Sequence, residues 1–363
     1  MISILKEKAL LLAIVVVAII YPLEHTLLGF GLWGVALTFA LIMGVILTAA
    51  FSVAHHAEIL AHKYGEPYGT LILTGAAVGV EVIILAIMLQ DAHNPTLVRD
   101  TIYAALMLDI NGIIGVAAII GGIKHGQQKY NVDSSNSYIA MILVAVGVTM
   151  VIPDFIELND VALYSIFNIV VIAALYALFT RIQIVEHRYF FEYTPAMEAA
   201  RAQNTVMGNH NEVSGRYHIG LLIALIVAIG ALAEVLSVFL NEGITQTGLP
   251  ILLAGVVVAL ISASPEILTA VRAALDNRMQ TVVNIALGAS LATVLMTIPV
   301  METISLISDI PLTMGLTPTQ GVMILLTMLV AMVNLNNGET NALEGMVHLV
   351  LFFTFVMLIF VIH

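Results

Sequence analysis

The sequence predicts an all-α polytopic membrane protein with eleven transmembrane helices, one extra N-terminal helix followed by two inverted five-helix repeats. Three observations lead to this fold class. Of the 363 residues, 60% are hydrophobic and only 10% are charged, which is more apolar surface than a soluble domain can bury. The apolar runs have the length of about 20 residues that crosses a bilayer as a helix. Two of these runs carry a single glutamate each, at matching places in the two halves of the chain.

Hydropathy divides the chain into eleven spans separated by short polar loops, which favours a single membrane domain. The spans lie near residues 8–23, 31–54, 69–90, 97–122, 138–156, 161–184, 217–240, 248–275, 281–306, 318–335 and 343–362. A short basic start precedes the first span, and no small-residue cleavage site follows it. We therefore expect a retained helix rather than a signal peptide.

The basic residues predict the orientation of these spans, because cytoplasmic loops of membrane proteins are enriched in Lys and Arg. If the loops are assigned alternately to the two sides, one side receives only Arg99. The other side receives Lys6, Lys8, Lys63, Lys124, Lys129, Arg181, Arg188, Arg201, Arg216, Arg272 and Arg278. The N-terminus is then cytoplasmic and the C-terminus external. The external loops are expected to hold the acids Asp154, Glu157, Asp160, Glu242, Glu302 and Asp309.

Composition also excludes several classes of function. The chain has no cysteine, which excludes disulfides, thiolate metal sites and cysteine nucleophiles. Its net charge of −12 does not suggest a nucleic-acid partner, since that needs basic patches. The partners we expect are the lipid bilayer, inorganic cations and protons, and we expect no cofactor.

An internal repeat relates the two halves of the chain. The sequence Ala57-Glu58-Ile59-Leu60 recurs as Ala233-Glu234-Val235-Leu236, and Asn111-Gly-Ile-Ile-Gly115 recurs loosely as Asn284-Ile-Ala-Leu-Gly288. Between Glu58 and Asn111 the numbering advances by 53, and between Glu234 and Asn284 by 50. Each unit holds an odd number of spans, so the second unit enters the membrane from the opposite face, as in many secondary transporters.

This repeat sets the predicted domain organisation, in which the first helix stands outside the repeats. The predicted segments are the N-terminal helix at 1–30, the first repeat at 31–185, a cytoplasmic linker at 186–216 and the second repeat at 217–363.

The two glutamates inside apolar runs are the strongest candidates for a site. Glu81 lies near the middle of Leu71–Gln90, and Glu266 lies within Ile251–Leu275. A carboxylate at bilayer depth is costly, so its presence there is a hypothesis of function by default. Pro265 precedes Glu266 directly and is expected to kink or break the helix, freeing carbonyl oxygens that can coordinate a cation.

Further oxygen ligands are expected near the two glutamates. The predicted cation ligands are Glu81, Glu266, Ser262, Ser264, Asn284 and Asn111, with Glu58, Glu234 and Asp109 as a possible access path. Both asparagines and Asp109 have an alternative role in hydrogen bonds between helices. Ser290 is interpreted as a packing residue.

Such a site is hard and oxygen-rich, and it suits calcium, sodium or protons rather than soft metals. A carboxyl group in a low-dielectric interior binds protons more tightly than in water, and a neighbouring carboxylate strengthens this effect. Protons and a cation therefore compete for the same oxygens. Because an empty, doubly ionised pair is too costly to cross the membrane, the carrier moves only when it is loaded. The prediction is secondary active cation/proton antiport by alternating access.

Two other functions remain open from the residues alone. The same fold could form an uncoupled cation channel or uniporter. The residues His55, Glu58 and His62 share a helix face and could form an intramembrane metalloenzyme site, although their spacing is not that of zinc peptidases. A proton-sensing or loop-anchoring role is the alternative for these histidines. We expect a transporter rather than an enzyme.

Four motifs resemble the calcium/proton exchanger family of the calcium:cation antiporter superfamily, and within it the bacterial ChaA-type sodium, potassium or calcium/proton antiporters. The motifs are His55–Gly69, Ser264-Pro265-Glu266, Asn284–Gly288 followed by Pro299-Val300, and Gly338–Gly345. The resemblance implies eleven helices, inverted five-helix repeats, a prokaryotic cell membrane and a cation and proton site at Glu81 and Glu266.

The chain also departs from the pattern of that family. Family members carry Gly-Asn-Ala-x-Glu before each key glutamate, whereas no asparagine precedes Glu81 or Glu266 here. Ala292 stands near the place of an expected glutamine, and the acid-rich helix of the central linker is missing as such. Fewer side-chain oxygens make calcium a weaker candidate as sole substrate and leave room for sodium or potassium.

Overall fold

The computed structural model describes residues 7–65, 68–90, 94–157, 160–182 and 215–361. These residues form eleven helices, which confirms the predicted fold class. In chain order the helices are α1 Lys8–Leu28, α2 Gly31–Tyr64, α3 Tyr68–Leu89, α4 Leu97–His125, α5 Val132–Phe155, α6 Val161–Arg181, α7 Gly215–Thr247, α8 Leu252–Leu275, α9 Met279–Ser308, α10 Pro318–Asn334 and α11 Ala342–Val361. Two short strands, β1 Gln128–Lys129 and β2 Glu339–Thr340, pair antiparallel. The predicted linker lies outside the described residues up to Gly215, where α7 begins.

Helices dominate because a backbone surrounded by hydrocarbon must satisfy its own hydrogen bonds. Ten of the described helices are long and apolar enough to cross a membrane, and α10 is shorter, at 17 residues. The polar end of α10 is built by a capping box, in which the Thr317 hydroxyl accepts from the Gln320 backbone N–H and the Gln320 side chain accepts from the Thr317 N–H.

The first helix of each repeat is longer than hydropathy predicts. Helix α2 runs to Tyr64 rather than to residue 54, so the histidine-rich segment is helical, and α7 runs to Thr247 rather than to residue 240. Both helices stop at a glycine with positive φ, Gly65 at +65° and Gly248 at +68°, a conformation that residues with a side chain rarely adopt.

The two repeats also share an irregularity. The helix that follows each glutamate helix contains a π-helical segment, Met107–Ile113 in α4 and Thr293–Thr297 in α9. These two helices are the most buried of the described candidate membrane spans. In the 18-residue apolar stretch of each, 72% of the residues of α4 and 67% of those of α9 are buried. Because π segments are rare and occur often at functional sites, their repetition directs attention to the contact between α4, α9 and the glutamate helices.

Contacts made by the helix ends define the two ends of the bundle. At one end the Lys124 ammonium donates to the Leu275 carbonyl at 2.8 Å, and the Ser135 hydroxyl donates to the Leu335 carbonyl at 2.8 Å. At the other end the Arg99 guanidinium donates to the Gly315 carbonyl at 3.0 Å. Every described lysine and arginine except Arg99 lies at or near the first end, which we call the basic end.

Small residues bring the central helices together. A Cβ atom on Gly255 of α8 would lie 2.7 Å from the backbone carbon of Asp100 in α4. A Cβ atom on Gly345 of α11 would lie 2.7 Å from the carbonyl oxygen of Gly115, also in α4. Helix α4 is therefore held backbone-to-backbone on two sides, the packing that small residues permit in membranes.

Two sequence predictions are corrected by the fold. Glu302 was placed among the acids of the external loops, but it lies inside α9 with 3% of its surface exposed. Pro265 was expected to kink or break α8, and the break does not occur, because the helix continues through Pro265 from Leu252 to Leu275.

Candidate functional site

The site is centred on the carboxyl group of Glu81, which is only 3% exposed. Its Oε2 atom accepts hydrogen bonds from the hydroxyls of Thr293 at 3.0 Å and Thr297 at 3.2 Å. Its Oε1 atom is buried and has no hydrogen-bond partner. Thr293 stands in the middle of α9, fourteen residues after Met279 and fifteen before Ser308, so the carboxyl group lies near the midplane of the bundle.

A second buried carboxyl group lies beside it. Asp109, in the π segment of α4, is 2% exposed, and its Oδ2 atom accepts from the Ser290 hydroxyl at 3.1 Å. Its Oδ1 atom is buried without a partner. Ser290, Thr293 and Thr297 are spaced i, i+3 and i+7 along one face of α9. This hydroxyl row therefore holds Asp109 and Glu81 at neighbouring turns of α9.

Glu266 completes the group from α8. Its charge interacts with those of Glu81 and Asp109. In this conformation, however, the three acids are not close enough together to hold one metal ion between them, and the same is true of every other described trio of His, Asp or Glu. Unlike the other two, Glu266 is partly exposed. The structure thus brings together the two glutamates that sequence analysis paired and adds Asp109, which had been assigned to a possible access path.

The two repeats meet at this group of acids. Glu81 from the first repeat contacts the π segment of the second, whereas Glu266 from the second repeat faces Asp109 in the π segment of the first. The two glutamates therefore have equivalent positions in the two repeats but different neighbours. The hydroxyls of Thr293 and Thr297 bond to Glu81, whereas the carboxyl group of Asp109 interacts with Glu266.

The serines before Glu266 donate their hydrogens to their own helix. Proline has no N–H, so Pro265 leaves the Ile261 carbonyl without its usual donor. The Ser264 hydroxyl donates to that carbonyl at 2.8 Å, and the Ser262 hydroxyl donates to the Ala259 carbonyl at 3.1 Å. The carbonyl that was expected to be free is therefore occupied, while the lone pairs of both serine oxygens remain available to a cation.

The two predicted asparagine ligands lie in hydrogen-bonded networks. The Asn111 amide donates to the Thr327 hydroxyl of α10 at 2.8 Å, and its oxygen lies 3.1 Å from Nδ1 of the buried His348 in α11. The Asn284 oxygen accepts from the Gln280 amide at 2.8 Å, towards the basic end. In this conformation Asn111 makes the interhelical bonds that were the alternative to cation ligation, whereas the bond of Asn284 to Gln280 lies within α9.

Glu58 and Glu234 occupy equivalent places in α2 and α7, and both are exposed. Glu234 shares a helix face with Ser237 and Asn241 at spacings of three and seven residues. A small cavity at the Arg99 end is lined by Met88, Asn94, Leu97, Ser237, Asn241, Ile251 and Ala254.

The histidine cluster takes a different form from a metal centre. His55 and Glu58 are exposed, and the side chain of His62 lies outside the described residues. His56 is buried, and its Nδ1 atom lies 2.8 Å from Nδ1 of His218 in α7. Within the described part of the chain, no three His, Asp or Glu side chains are arranged to hold a metal ion.

Sequence reasoning missed the hydroxyls of Thr293 and Thr297 and underestimated Ser290. Their spacing along one face of the helix after Glu266 was the only signal. Hydroxyls in apolar helices commonly bond to their own backbone, as Thr303 does to the Pro299 carbonyl, so this spacing does not distinguish the two roles.

The electrostatics of the site follow from its burial. In the described residues, no ion pair involves Glu81, Asp109 or Glu266. Taking a carboxylate out of water costs several kcal/mol even after relaxation, and that penalty needs a compensating charge or proton. The orphan oxygens Glu81 Oε1 and Asp109 Oδ1 are the atoms to which a proton or a hard cation would bind.

Comparison with known proteins identifies the family. The chain matches the sodium/calcium exchanger protein family over residues 34–185 and 217–361. The sodium-potassium/proton antiporter ChaA of Escherichia coli (strain K12) is 30% identical, over 94% of this chain and 96% of that protein. The putative ionic transporter y4hA of Sinorhizobium fredii is 34% identical, over 87% of this chain and 86% of that protein.

Solved structures agree in fold. Native YfkE superimposes with a TM-score of 0.75 at 20% identity, covering 96% of this chain and all of that one. The H+/Ca2+ exchanger CAX superimposes with a TM-score of 0.63 at 16% identity, covering 97% of this chain and 89% of that one. Because the fold, the family match and the relatives agree over most of its length, the chain belongs to the sodium/calcium exchanger family.

Proposed function

We propose that this protein is a cation/proton antiporter in which Glu81 and Glu266 bind a cation or protons competitively at the membrane midplane. The observation that carries the proposal is the buried Oε1 atom of Glu81, which has no partner although two hydroxyls hold the other oxygen. A carboxyl group held in this way has a fixed position and one free oxygen. That oxygen is where the transported species binds.

Coupling follows from the cost of an empty site. Asp109 and Glu266 lie near Glu81, and none of the three forms an ion pair with a described residue, so the ionised acids repel one another in a low-dielectric interior. Either protons or a cation must neutralise them before the site can be closed from both sides. The protein therefore exchanges one for the other instead of returning empty, and it acts as a transporter rather than an enzyme.

The ligand set we propose extends beyond the glutamates to Ser262, Ser264, Asn111 and Asn284. The serine oxygens accompany Glu266 along α8 and keep free lone pairs. The asparagines would first have to leave their present partners, so their participation requires a conformational change. The exposed Glu58 and Glu234 are proposed to line the approaches from the two ends.

The identity of the cation is proposed from the site and from the names of relatives. The Escherichia coli relative is named a sodium-potassium/proton antiporter, and the 22% identical Bacillus subtilis relative is named a Ca(2+)/H(+) antiporter. Hard carboxylate and hydroxyl oxygens suit all three ions. We propose Ca²⁺ first, with Na⁺ or K⁺ as further substrates.

The orientation we propose places the basic end in the cytoplasm of a bacterial cell membrane. The described lysines and arginines other than Arg99 lie at or near that end, as the positive-inside rule requires of cytoplasmic loops. The N-terminus would then be cytoplasmic and the C-terminus external.

The experiment is proton/cation exchange in proteoliposomes containing a pH-sensitive dye and an imposed proton gradient. Addition of Ca²⁺, Na⁺ or K⁺ should discharge the gradient, and Glu81→Gln or Glu266→Gln should abolish the response. Glu242→Gln, at the end of α7, is the matched control and should exchange normally. Normal exchange by both site variants would end the proposal, and cation flux insensitive to the pH gradient would identify a channel or uniporter instead.

A further inference from the structure

A fourth buried acid lies outside the candidate site, between α6 and α9. Glu302 of α9 is 3% exposed, and Asn168 of α6 is fully buried. The Asn168 amide nitrogen donates to Glu302 Oε1 at 3.3 Å. Glu302 is five residues beyond Thr297, which turns it by about 140° around the helix, away from the face that holds Glu81.

The atoms left without partners identify what is missing from this contact. Glu302 Oε2 and Asn168 Oδ1 are both buried, and neither has a hydrogen-bond partner. Both are acceptors when the acid is ionised. If Oε2 carries a proton it becomes a donor, and the carboxylic acid and the amide are then complementary, each with one donor and one acceptor. The arrangement is satisfied only when the acid is protonated.

Among the described residues, the surroundings supply no alternative to a proton. The described elements with the most contacts to this half of α9 are α6 and α3. From α6, Tyr164 is close enough to interact electrostatically with Glu302, but its hydroxyl donates to the Val148 carbonyl at 2.8 Å. The acid of α3 is Glu81, whose carboxyl group is held on another face of α9, and Asp309 lies beyond the end of α9 itself. In the described residues no basic side chain forms an ion pair with Glu302.

We propose that Glu302 and Asn168 form a second site, which binds a proton and is separate from the cation site. When the proton is bound, the hydrogen bonds between Glu302 and Asn168 stabilise the contact between α6 and α9. The bound species is a single proton on Glu302 Oε2. When the proton leaves, the carboxylate has one amide donor and no counter-charge, so the contact between α6 and α9 weakens. The helix that carries Thr293 and Thr297 is then less firmly held on its opposite face.

The sign of the pH effect follows from linkage. The folded protein holds this proton, whereas the unfolded chain releases it near the ordinary glutamic-acid pKa of about 4.3. The folded state then binds more protons, so the stability contributed by this contact falls as pH rises above that value. The glutamine of Glu302→Gln has a donor and an acceptor, as the protonated acid has, but it does not ionise. The stability of this variant should therefore not show the fall that is due to Glu302.

The direct test is pH-dependent infrared difference spectroscopy of the full chain in lipid vesicles, which detects the carbonyl stretch of protonated carboxylic acids. Glu302→Gln should remove one such band that is present at neutral pH in the wild type. Glu81→Gln should leave that band in place, and Asn168→Ala should shift it in frequency because its acceptor is lost. Retention of every band in Glu302→Gln, or a band unaffected by Asn168→Ala, would overturn the proposal.

A second measurement is independent of transport. The thermal midpoint of the wild type should fall relative to that of Glu302→Gln as pH is raised, and the two should converge as pH is lowered. A difference that does not change with pH would reject the site even where the spectra are crowded. Because neither readout uses exchange activity, this inference and the proposed antiport can fail separately.

Discussion

The hydroxyls of Thr293 and Thr297 offer the sharpest test of how Glu81 selects between a proton and a cation. Both donate to the same oxygen, Oε2, and a donor stabilises the ionised carboxylate more than the neutral acid. Replacing Thr297 by valine keeps the shape of the side chain and removes one donor. We therefore expect Thr297→Val to favour the protonated form at the expense of the cation.

The magnitude follows from the contact. A hydrogen bond to a charged group contributes about 1.5–3 kcal/mol, and 1.4 kcal/mol corresponds to a tenfold change in an equilibrium constant. Thr293 remains as a second donor at 3.0 Å and will compensate in part, so we take the lower limit. The cation concentration for half-maximal exchange should rise about tenfold at fixed pH, or the exchange profile should move about one unit towards alkaline pH.

The assay is the same proteoliposome exchange, recorded over a matrix of pH and cation concentration. The maximal rate at saturating cation should change little, because the free Oε1 atom is untouched. Thr303→Val is the matched control, since Thr303 lies in the same helix and donates to its own backbone at Pro299. An unchanged profile in Thr297→Val, or an equal shift in Thr303→Val, would refute the reasoning.

Two further variants test packing around the site. Gly255→Ala places a Cβ atom 2.7 Å from the Asp100 backbone, so overpacking should lower the free energy of unfolding by about 1–3 kcal/mol. Gly220→Ala, with open space around it, should instead be neutral or stabilising, and equal thermal midpoints for the two variants would contradict this account. Asn111→Ala leaves Nδ1 of the buried His348 without its partner and should cost about 1–3 kcal/mol in thermal unfolding assays. Wild-type thermal stability in that variant would rule out a structural role for the asparagine.

Hydropathy predicted the helices well because membrane thickness sets their length independently of tertiary contacts. It failed at the end of α2, where polar residues such as His56 continue the helix beyond the apolar run. His56 packs against His218 of α7, which shows why the extension is helical: a partner helix, not lipid, covers it. Contacts of this kind are not encoded in the local composition.

The site was only partly predictable for a similar reason. Glu81 and Glu266 stand out as isolated charges in apolar runs, and the repeat places them at equivalent depths. The hydroxyls that hold Glu81 belong to a helix more than two hundred positions away in sequence, and nothing local distinguishes them from Thr303. Glu302 was misplaced because its burial depends on α6 packing across it.

The origin of the ligands also explains why the repeats cannot move freely past one another. Glu81 belongs to the first repeat, and both hydroxyls that hold it belong to the second. A relative movement of the repeats separates these partners and leaves a buried carboxylate without donors, at a cost of several kcal/mol. A proton or a cation on Glu81 removes most of that cost, because the neutralised group no longer depends on the donors. We infer that the hydrogen bonds between Glu81 of one repeat and the hydroxyls of the other, in addition to the charge of the site, make movement of the repeats depend on whether a proton or a cation is bound. An antiporter requires that dependence.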